Sequence, residues 1–595
     1  MTDDYSHLRR VRDHMPWRLW IVALIGFWER AAFWGLTAPW QNYMEHPSHY
    51  NKSETPGALG LGQTKATRIY CAFYIFYYCT PIFVAPLADS RLGQYTTLVI
   101  SVVLYCIGCT ALTISSLSSN VDKGWGLPGL ILAMALIGLG GGGFKAIMVP
   151  FIADQYEKKE PEIKELKTGE RVVTDYDLTL QYIYNLYFWV GNVGSLSWFA
   201  TVYIEKHHGF AGAYGMCLGC MAIAMIMLIC GKRWYVKVPH KINVLPQATK
   251  IVTCAVRHGF KMKRADPEYQ LEHRGKTVSW TGTLVDELTR GLRACRVLIA
   301  FVIFWLCFDQ MQNNLISQAG QMKTGNTPND LLPAMNQVGC IVLGPVIQEV
   351  LYPLLHKRRI YIKAVTRIAI GFVFIALSML YATFVQNAIY SSPPCYDHPK
   401  ECELMSKMAL SDIKNSRPNV WIQAPLYFLI ATGEIFAYTT VLEFAYDHSP
   451  KDMKAIIQAI SLLVAGVGSA SAMALAEVAR DPWLTYLFAA LTGGMAITTI
   501  LFWLLFRKYD EDEVATKAKA QAPFDVEKGS TAAGTTVCET PATSRPLSLG
   551  SDVTVLARSS EATLFQPILG PLQTHSEPGS EKNGEISVIE VAKET

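Results

Sequence analysis

The sequence predicts an all-α transmembrane protein of twelve helices, folded as two six-helix bundles around a central cavity. Three observations predict it. Apolar runs recur along the chain, each reaching the roughly 20 residues that a spanning helix needs. The composition suits a chain whose solvent is lipid: 51% of residues are hydrophobic and only 17% are charged, against about 25% charged in soluble proteins. The runs also divide equally on either side of one long polar connection, residues 232–295.

Taken in order, residues 1–16 are polar and form a cytoplasmic N-terminus. They are not expected to be a cleaved leader, because the first apolar run carries charges in its middle. The N-terminal bundle, 17–231, holds expected spans at 17–40, 68–89, 95–117, 127–152, 178–203 and 209–231. The C-terminal bundle, 296–507, holds them at 296–318, 333–355, 364–389, 420–444, 453–477 and 483–507. Runs this long in lipid are helical because each backbone N–H and C=O must find its partner within the segment. Pro81, Pro150, Pro345 and Pro425 are expected to kink their spans. The glycines of Gly138–Gly143 predict close helix packing. A phosphate loop would need a preceding strand and a Gly-Lys-Ser/Thr ending, and neither is present. The connection 232–295 is polar, basic and partly helical. Residues 508–595 are rich in Ser, Thr, Gly, Pro, Glu and Lys, the composition of a disordered cytoplasmic tail.

Orientation follows from basic residues in the short loops. Arg9, Arg10 and Arg12 precede span one. Lys158, Lys159, Lys164, Lys167 and Arg171 follow span four. Lys357, Arg358, Arg359 and Lys363 follow span eight. Twelve spans put all three groups on one side, the cytoplasm, with both termini inside. The other side carries the sequon Asn51-Lys52-Ser53, a candidate glycosylation site. Cys395 and Cys402 share a polar loop on that side and form a candidate disulfide.

Several function classes fall away. The net charge is only +4, and no basic run is large enough to hold nucleic acid. Cys71, Cys79, Cys106, Cys307 and Cys340 sit in apolar runs, as inert packing thiols do. Cys217-Leu-Gly-Cys220 lacks a second ligand pair, so no metal is expected. Neither His-Glu-x-x-His nor Gly-x-Ser-x-Gly occurs, and His207-His208 reads as a solvated pair. An enzyme is not expected, nor a cofactor.

The informative residues are the ionisable ones inside spans: Glu29 and Arg30 in span one, Lys145 in four, Asp309 in seven and Glu434 in ten. Each costs about 2.5–3.5 kcal/mol at a helix centre, so five unpaired charges would cost on the order of 12–17 kcal/mol. They must face one another or an aqueous cavity. Structural clips between helices and a pathway for substrate or protons are both open readings, and they are compatible. Three acids meet two bases, which leaves one acid to take a proton or a substrate cation. Separated cationic and anionic walls suit a zwitterion such as a short peptide. Arg30 and Lys145 are expected to serve its carboxylate and Glu434 its ammonium. Asp309 is the candidate proton carrier.

The motifs resemble the proton-dependent oligopeptide transporter family of the major facilitator superfamily, most nearly its fungal branch. The resemblance covers most of residues 8–508. It is carried by Glu29-Arg30 through Gly35, Leu36–Tyr43, Pro56–Gln63, Ala88–Tyr95, Lys145 with Phe151–Tyr156, Asn192–Leu196, Asn313–Gly320, and Gly433-Glu434 with Leu442–Tyr446. It implies a twelve-helix major facilitator fold and proton-driven symport of di- and tripeptides by alternating access. It implies that the Glu29–Arg30 pair interacts with Lys145, and that Asn192 and Asn336 contact peptide. Asp89 and Arg91 fall in the superfamily's gating loop between spans two and three. The family's span-one motif, E-x-x-E-R-F-x-Y-Y-G, has Gly26 in place of its first Glu, Ala31 in place of Phe, and Phe33 and Trp34 in place of the two Tyr. Phe33 and Trp34 make the substrate wall more apolar, and the missing carboxylate at Gly26 weakens or removes proton coupling. On this reading Gly26→Glu would restore it.

The expected partners are small peptides, protons and the lipid bilayer, with a monomeric transport unit in the plasma membrane. A weakly coupled or uncoupled carrier of peptide-derived or other small metabolites is an alternative. A transporter-like nutrient sensor is another, opposed by Lys145, Asn192 and Glu434.

Overall fold

The computed structural model describes residues 8–48, 55–157, 162–165, 169–236, 245–259, 261–358, 362–399, 415–447 and 454–521. Asn51, Cys402 and everything past Gln521 lie outside the described residues, as does the side chain of Asp89.

Eleven helical runs among the described residues are long and apolar enough to cross a membrane. One of them, Leu178–Arg233, has 56 residues. At ~1.5 Å per residue it would reach roughly 84 Å, far beyond a hydrocarbon core of about 30 Å. It turns back at Gly209, whose φ of 77° and ψ of 174° are not helical. A side chain at φ near +77° would be strained, which suits glycine to the turn. The run therefore supplies two crossings, and the expected twelve are present.

Span one is Trp17–Thr37, two Gln63–Leu87, three Gln94–Ser115 and four Gly126–Asp154. Span five is 176–208 and span six 210–230. Span seven is Cys295–Gly320 and eight Asn329–Leu355. Span nine is Ala364–Tyr390, ten Ala424–Asp447 and eleven Lys454–Leu475. Span twelve begins Leu484–Gln521, a helix that runs past the membrane segment ending at Arg507.

Two large apolar cores match the two bundles. One is built from Leu19 to Tyr235, joined by Leu462 and Ala465 of span eleven. The other runs from Cys295 to Phe502, joined by Cys71 of span two. Spans two and eleven thus meet where the bundles touch. The span-four glycines act as expected. A Cβ on Gly142 would lie 2.6 Å from Thr80 of span two, and one on Gly140 would lie 2.5 Å from the Ser101 carbonyl of span three. Both neighbours approach closer than a larger residue would allow.

Pro81, Pro150 and Pro345 lie inside their helices, and Pro345 leads directly into a π-turn, Val346–Leu351. Pro425 does not kink span ten. It sits in the first turn of Ala424–Asp447, where its missing N–H would have had no helical partner.

The connection 232–295 contains the helices Leu245–Arg257, Pro267–Arg274 and Gly282–Ala294. Asp266 caps the second by accepting from the Glu268 N–H, with Pro267 at the first position. Ala248, Ile251, Ala255, Val285 and Leu288 give the linker its own small core, which rests on Ile460 of span eleven.

A cytoplasmic sheet, absent from the all-α reading, joins Arg9–Val11 (β1), Ile163–Glu165 (β2) and Arg171–Thr174 (β3) in the order β1-β3-β2. Strands of three or four residues are too short to show alternation in sequence. Asp13 anchors the sheet by accepting from Lys164 and from the Tyr156 hydroxyl at 3.1 Å. Burial pushes the Asp13 carboxyl up, but the Lys164 ammonium, the His14 N–H and Tyr156 together hold it below its ordinary value.

Candidate functional site

The intramembrane ionisable residues fall in both bundles: Glu29, Arg30 and Lys145 in the first, Asp309 and Glu434 in the second. In the first bundle, Glu29 is wholly buried. Arg30 donates to it as a fork, Nε to Oε2 at 2.6 Å and Nη2 to Oε1 at 2.8 Å. Arg30 Nη2 also donates to the Tyr77 hydroxyl at 3.4 Å. Lys145 lies over the Tyr77 ring at 5.3 Å and the Tyr78 ring at 5.0 Å. Tyr77 is thus the bridge between the Glu29–Arg30 pair and Lys145. A cation held over an aromatic face keeps its charge available to a second anion. Phe33 stacks on Tyr77 at 4.9 Å, and Trp34 packs against Trp198 at 6.0 Å.

In the second bundle, Asp309 is 8% exposed. It ends the helix Phe301–Asp309, just before a 3-10 turn, Gln310–Gln312, and a backbone break at Asn313. Its carboxylate accepts a hydrogen bond from the buried Ser469 hydroxyl of span eleven. Glu434 accepts from Asn336 Nδ2 at 3.2 Å and from the Cys340 thiol at 3.6 Å, both on span eight. The crossing of spans nine and ten that places it needs glycine: a Cβ on Gly371 would lie 2.6 Å from the Ala437 nitrogen and 2.8 Å from the Gly433 carbonyl. Asn336 therefore holds Glu434, while its own buried Oδ1 accepts nothing. The two carboxylates of the second bundle are thus held by neutral donors.

The outer ends of the bundles are locked together. Asn42 and Asn329 exchange amide hydrogen bonds at 2.9 and 2.8 Å. Gln63 donates to Asn314 at 3.1 Å and Tyr74 to Gln312 at 2.7 Å. Trp198 donates to the Asp330 carbonyl at 2.6 Å, and Lys206 to the Asn326 carbonyl at 2.9 Å. Arg68 pairs with Glu477. The site is sealed on the side that carries residues 38–62.

Other expected residues are placed as follows. Asn192 turns its amide to the Phe188 carbonyl of its own helix at 3.2 Å. Arg91 is exposed, in the π-turn Ala88–Leu92 that follows span two. Cys395 is disulfide-bonded. Sequence reasoning missed the aromatic bridge. Tyr70, Tyr74, Tyr77 and Tyr78 line one face of span two, and their i, i+4, i+7, i+8 spacing was the signal.

Gly26 needs a correction. A Cβ there would run into the Tyr187 ring of span five, which fills the space beside span one. Gly26→Glu alone cannot restore a carboxylate to an occupied place. It is expected to lower stability by about 1–3 kcal/mol through overpacking, read as a fall in melting temperature, with no steeper pH response. Gly26→Glu combined with Tyr187→Ala should recover the loss. A single variant as stable as the parent would refute this account of the site.

A model of the POT family, described as PTR2, matches residues 95–492. The chain is 37% identical over 515 residues to a probable peptide transporter, ptr2, of Schizosaccharomyces pombe, covering 86% of this chain and 81% of that one. It is 38% identical over 512 residues to the peptide transporter PTR_C of Candidozyma auris, covering 86% and 87%. It matches the in meso crystal structure of the POT family transporter PepTSo with a TM-score of 0.64 at 19% identity, over 84% of this chain and 99% of that one. The two share a fold over that length.

Proposed function

Because this chain belongs to the POT family, we propose that it is a proton-coupled symporter of di- and tripeptides that works by alternating access. One observation supports the reading: membrane-spanning helices of the first bundle carry the cations Arg30 and Lys145, and those of the second carry the acids Asp309 and Glu434. A zwitterionic peptide bridges them, its carboxylate toward Arg30 and Lys145 and its ammonium toward Glu434. Binding therefore draws the two bundles together, as closure around a substrate requires. Phe33 and Trp34 line the wall beside the cations. Bundles 17–231 and 296–507 rock as units, the linker 232–295 joins them, and one chain is the transport unit in the plasma membrane. Asp89 and Arg91 serve the cytoplasmic gate.

The test is dipeptide-driven proton influx in proteoliposomes that hold the full chain and an internal pH dye. Acidification on adding a dipeptide supports symport. Equilibration of labelled dipeptide without acidification favours a second reading, an uncoupled carrier, for which Gly26 in place of the family's first acid speaks. Neither signal from folded protein rejects peptide transport.

The ammonium assignment has its own test. A charge-assisted hydrogen bond is worth about 1.5–3 kcal/mol. Glu434→Gln is therefore expected to raise KM about 10- to 100-fold for peptides with a free amino terminus. N-acetylated peptides should be little affected. Equal effects on both would remove Glu434 from that role.

A further inference from the structure

The outer closure contains a pair of acids that the central site does not use. Glu205 lies in span five, Asp330 at the start of span eight, and so they come from opposite bundles. They are 2% and 0% exposed. Each carboxyl is within hydrogen-bonding reach of the other. Their four oxygens are buried without a well-formed hydrogen bond, with the Asn42 amide and the Asp330 backbone as nearby donors. Two carboxylates cannot donate to each other, and like charges buried side by side disfavour double ionisation.

Among the described residues, neither acid has an ion pair. Lys206 faces Asp330, but its ammonium donates to the Gly325 and Asn326 carbonyls of the outer loop. Asn42 stands beside both acids, and its amide donates to Asn329. Tyr214 of span six faces both acids, and Tyr43 packs on its ring at 5.7 Å.

We propose that Glu205 and Asp330 form a second proton-binding site, which takes one proton from the outside as the outer ends of the bundles close and returns it when they part. Closing converts one carboxylate to a carboxylic acid, whose O–H donates to the other carboxylate across the bundle interface. Opening separates the two, water solvates them, and the proton leaves on the side from which it came. The site makes the outer gate sensitive to external pH without adding to the protons carried inward. The inference assumes that the bundles part at their outer ends. It needs neither peptide nor net proton flux, so its test is independent of that for symport.

The experiment is single-molecule energy transfer in nanodiscs, on the full chain, between dyes attached through unnatural amino acids at Lys123 and Ser391, both exposed at the outer ends. The closed-to-open ratio of the parent should rise as pH falls, with the pair contributing up to about tenfold per pH unit, the limit for one proton. Glu205→Gln and Asp330→Asn each mimic the protonated partner. Each should stay mostly closed and lose that one-proton slope. Variants that keep the parent's slope, or that open instead of closing, overturn the proposal. So does a closing shift driven by sodium at fixed pH in the parent, which would make the ligand a metal cation. Infrared spectra of the unmutated protein add a check that does not depend on variant folding: a carboxylic-acid C=O band should grow with the closed fraction, and its absence overturns the proposal.

Discussion

Lys145→Ala is expected to abolish gradient-driven peptide accumulation in a protein that still folds. One proton moved through 100 mV yields about 2.3 kcal/mol. At about 1.4 kcal/mol per factor of ten, a neutral peptide carried with one proton can reach roughly 50-fold accumulation. Among the described residues Lys145 makes no ion pair, since the Arg30 fork holds both oxygens of Glu29. Its contacts are the faces of Tyr77 and Tyr78, which remain packed when it is truncated. No buried partner is left charged and alone, so the destabilisation typical of a broken buried pair does not arise. What disappears is the cation that meets the substrate carboxylate. Both accumulation and exchange of labelled for unlabelled dipeptide should therefore fall, with the melting temperature little changed. Full accumulation of labelled dipeptide in proteoliposomes under an imposed proton gradient would remove Lys145 from the mechanism.

How much of this was legible in sequence depends on the scale of the feature. The spans were legible because lipid tolerates few polar residues, and the same rule picked out Glu29, Arg30, Lys145, Asp309 and Glu434. Pairings across helices were not. That Tyr77 links Arg30 to Lys145, and that Tyr187 fills the space beside Gly26, depends on how spans one, two, four and five pack. Hydropathy carries no such information. The acids of the outer gate escaped for a more specific reason. Glu205 falls just past the expected end of span five at 203, and Asp330 just before the expected start of span eight at 333. Both read as loop residues with water for company. The structure carries the helix on to the Gly209 turn and starts the eighth span at Asn329, which buries both. An error of a few residues at a helix end thus decides whether a carboxylate counts as solvated or as a site.

Asp309→Asn is expected to separate drive from passage. Asparagine has the shape of aspartate and keeps an oxygen to accept from Ser469, the partner that the carboxylate has now. The helix break at Asn313 and the inter-bundle bonds of Gln312 and Asn314 are untouched by the change. The amide, however, cannot exchange a proton with water in the working pH range. Accumulation should drop from up to roughly 50-fold to unity, while exchange of labelled for unlabelled dipeptide continues at equal pH on both sides. That pattern differs from the one expected for Lys145→Ala, where exchange fails as well, and from Glu434→Gln, where KM moves with the peptide's amino terminus. Asp309→Glu, which restores the acid with one more methylene, should recover accumulation in part. If Asp309→Asn still accumulates dipeptide under a proton gradient, the carrier must lie elsewhere, and Glu29 beneath its Arg30 fork becomes the group to test.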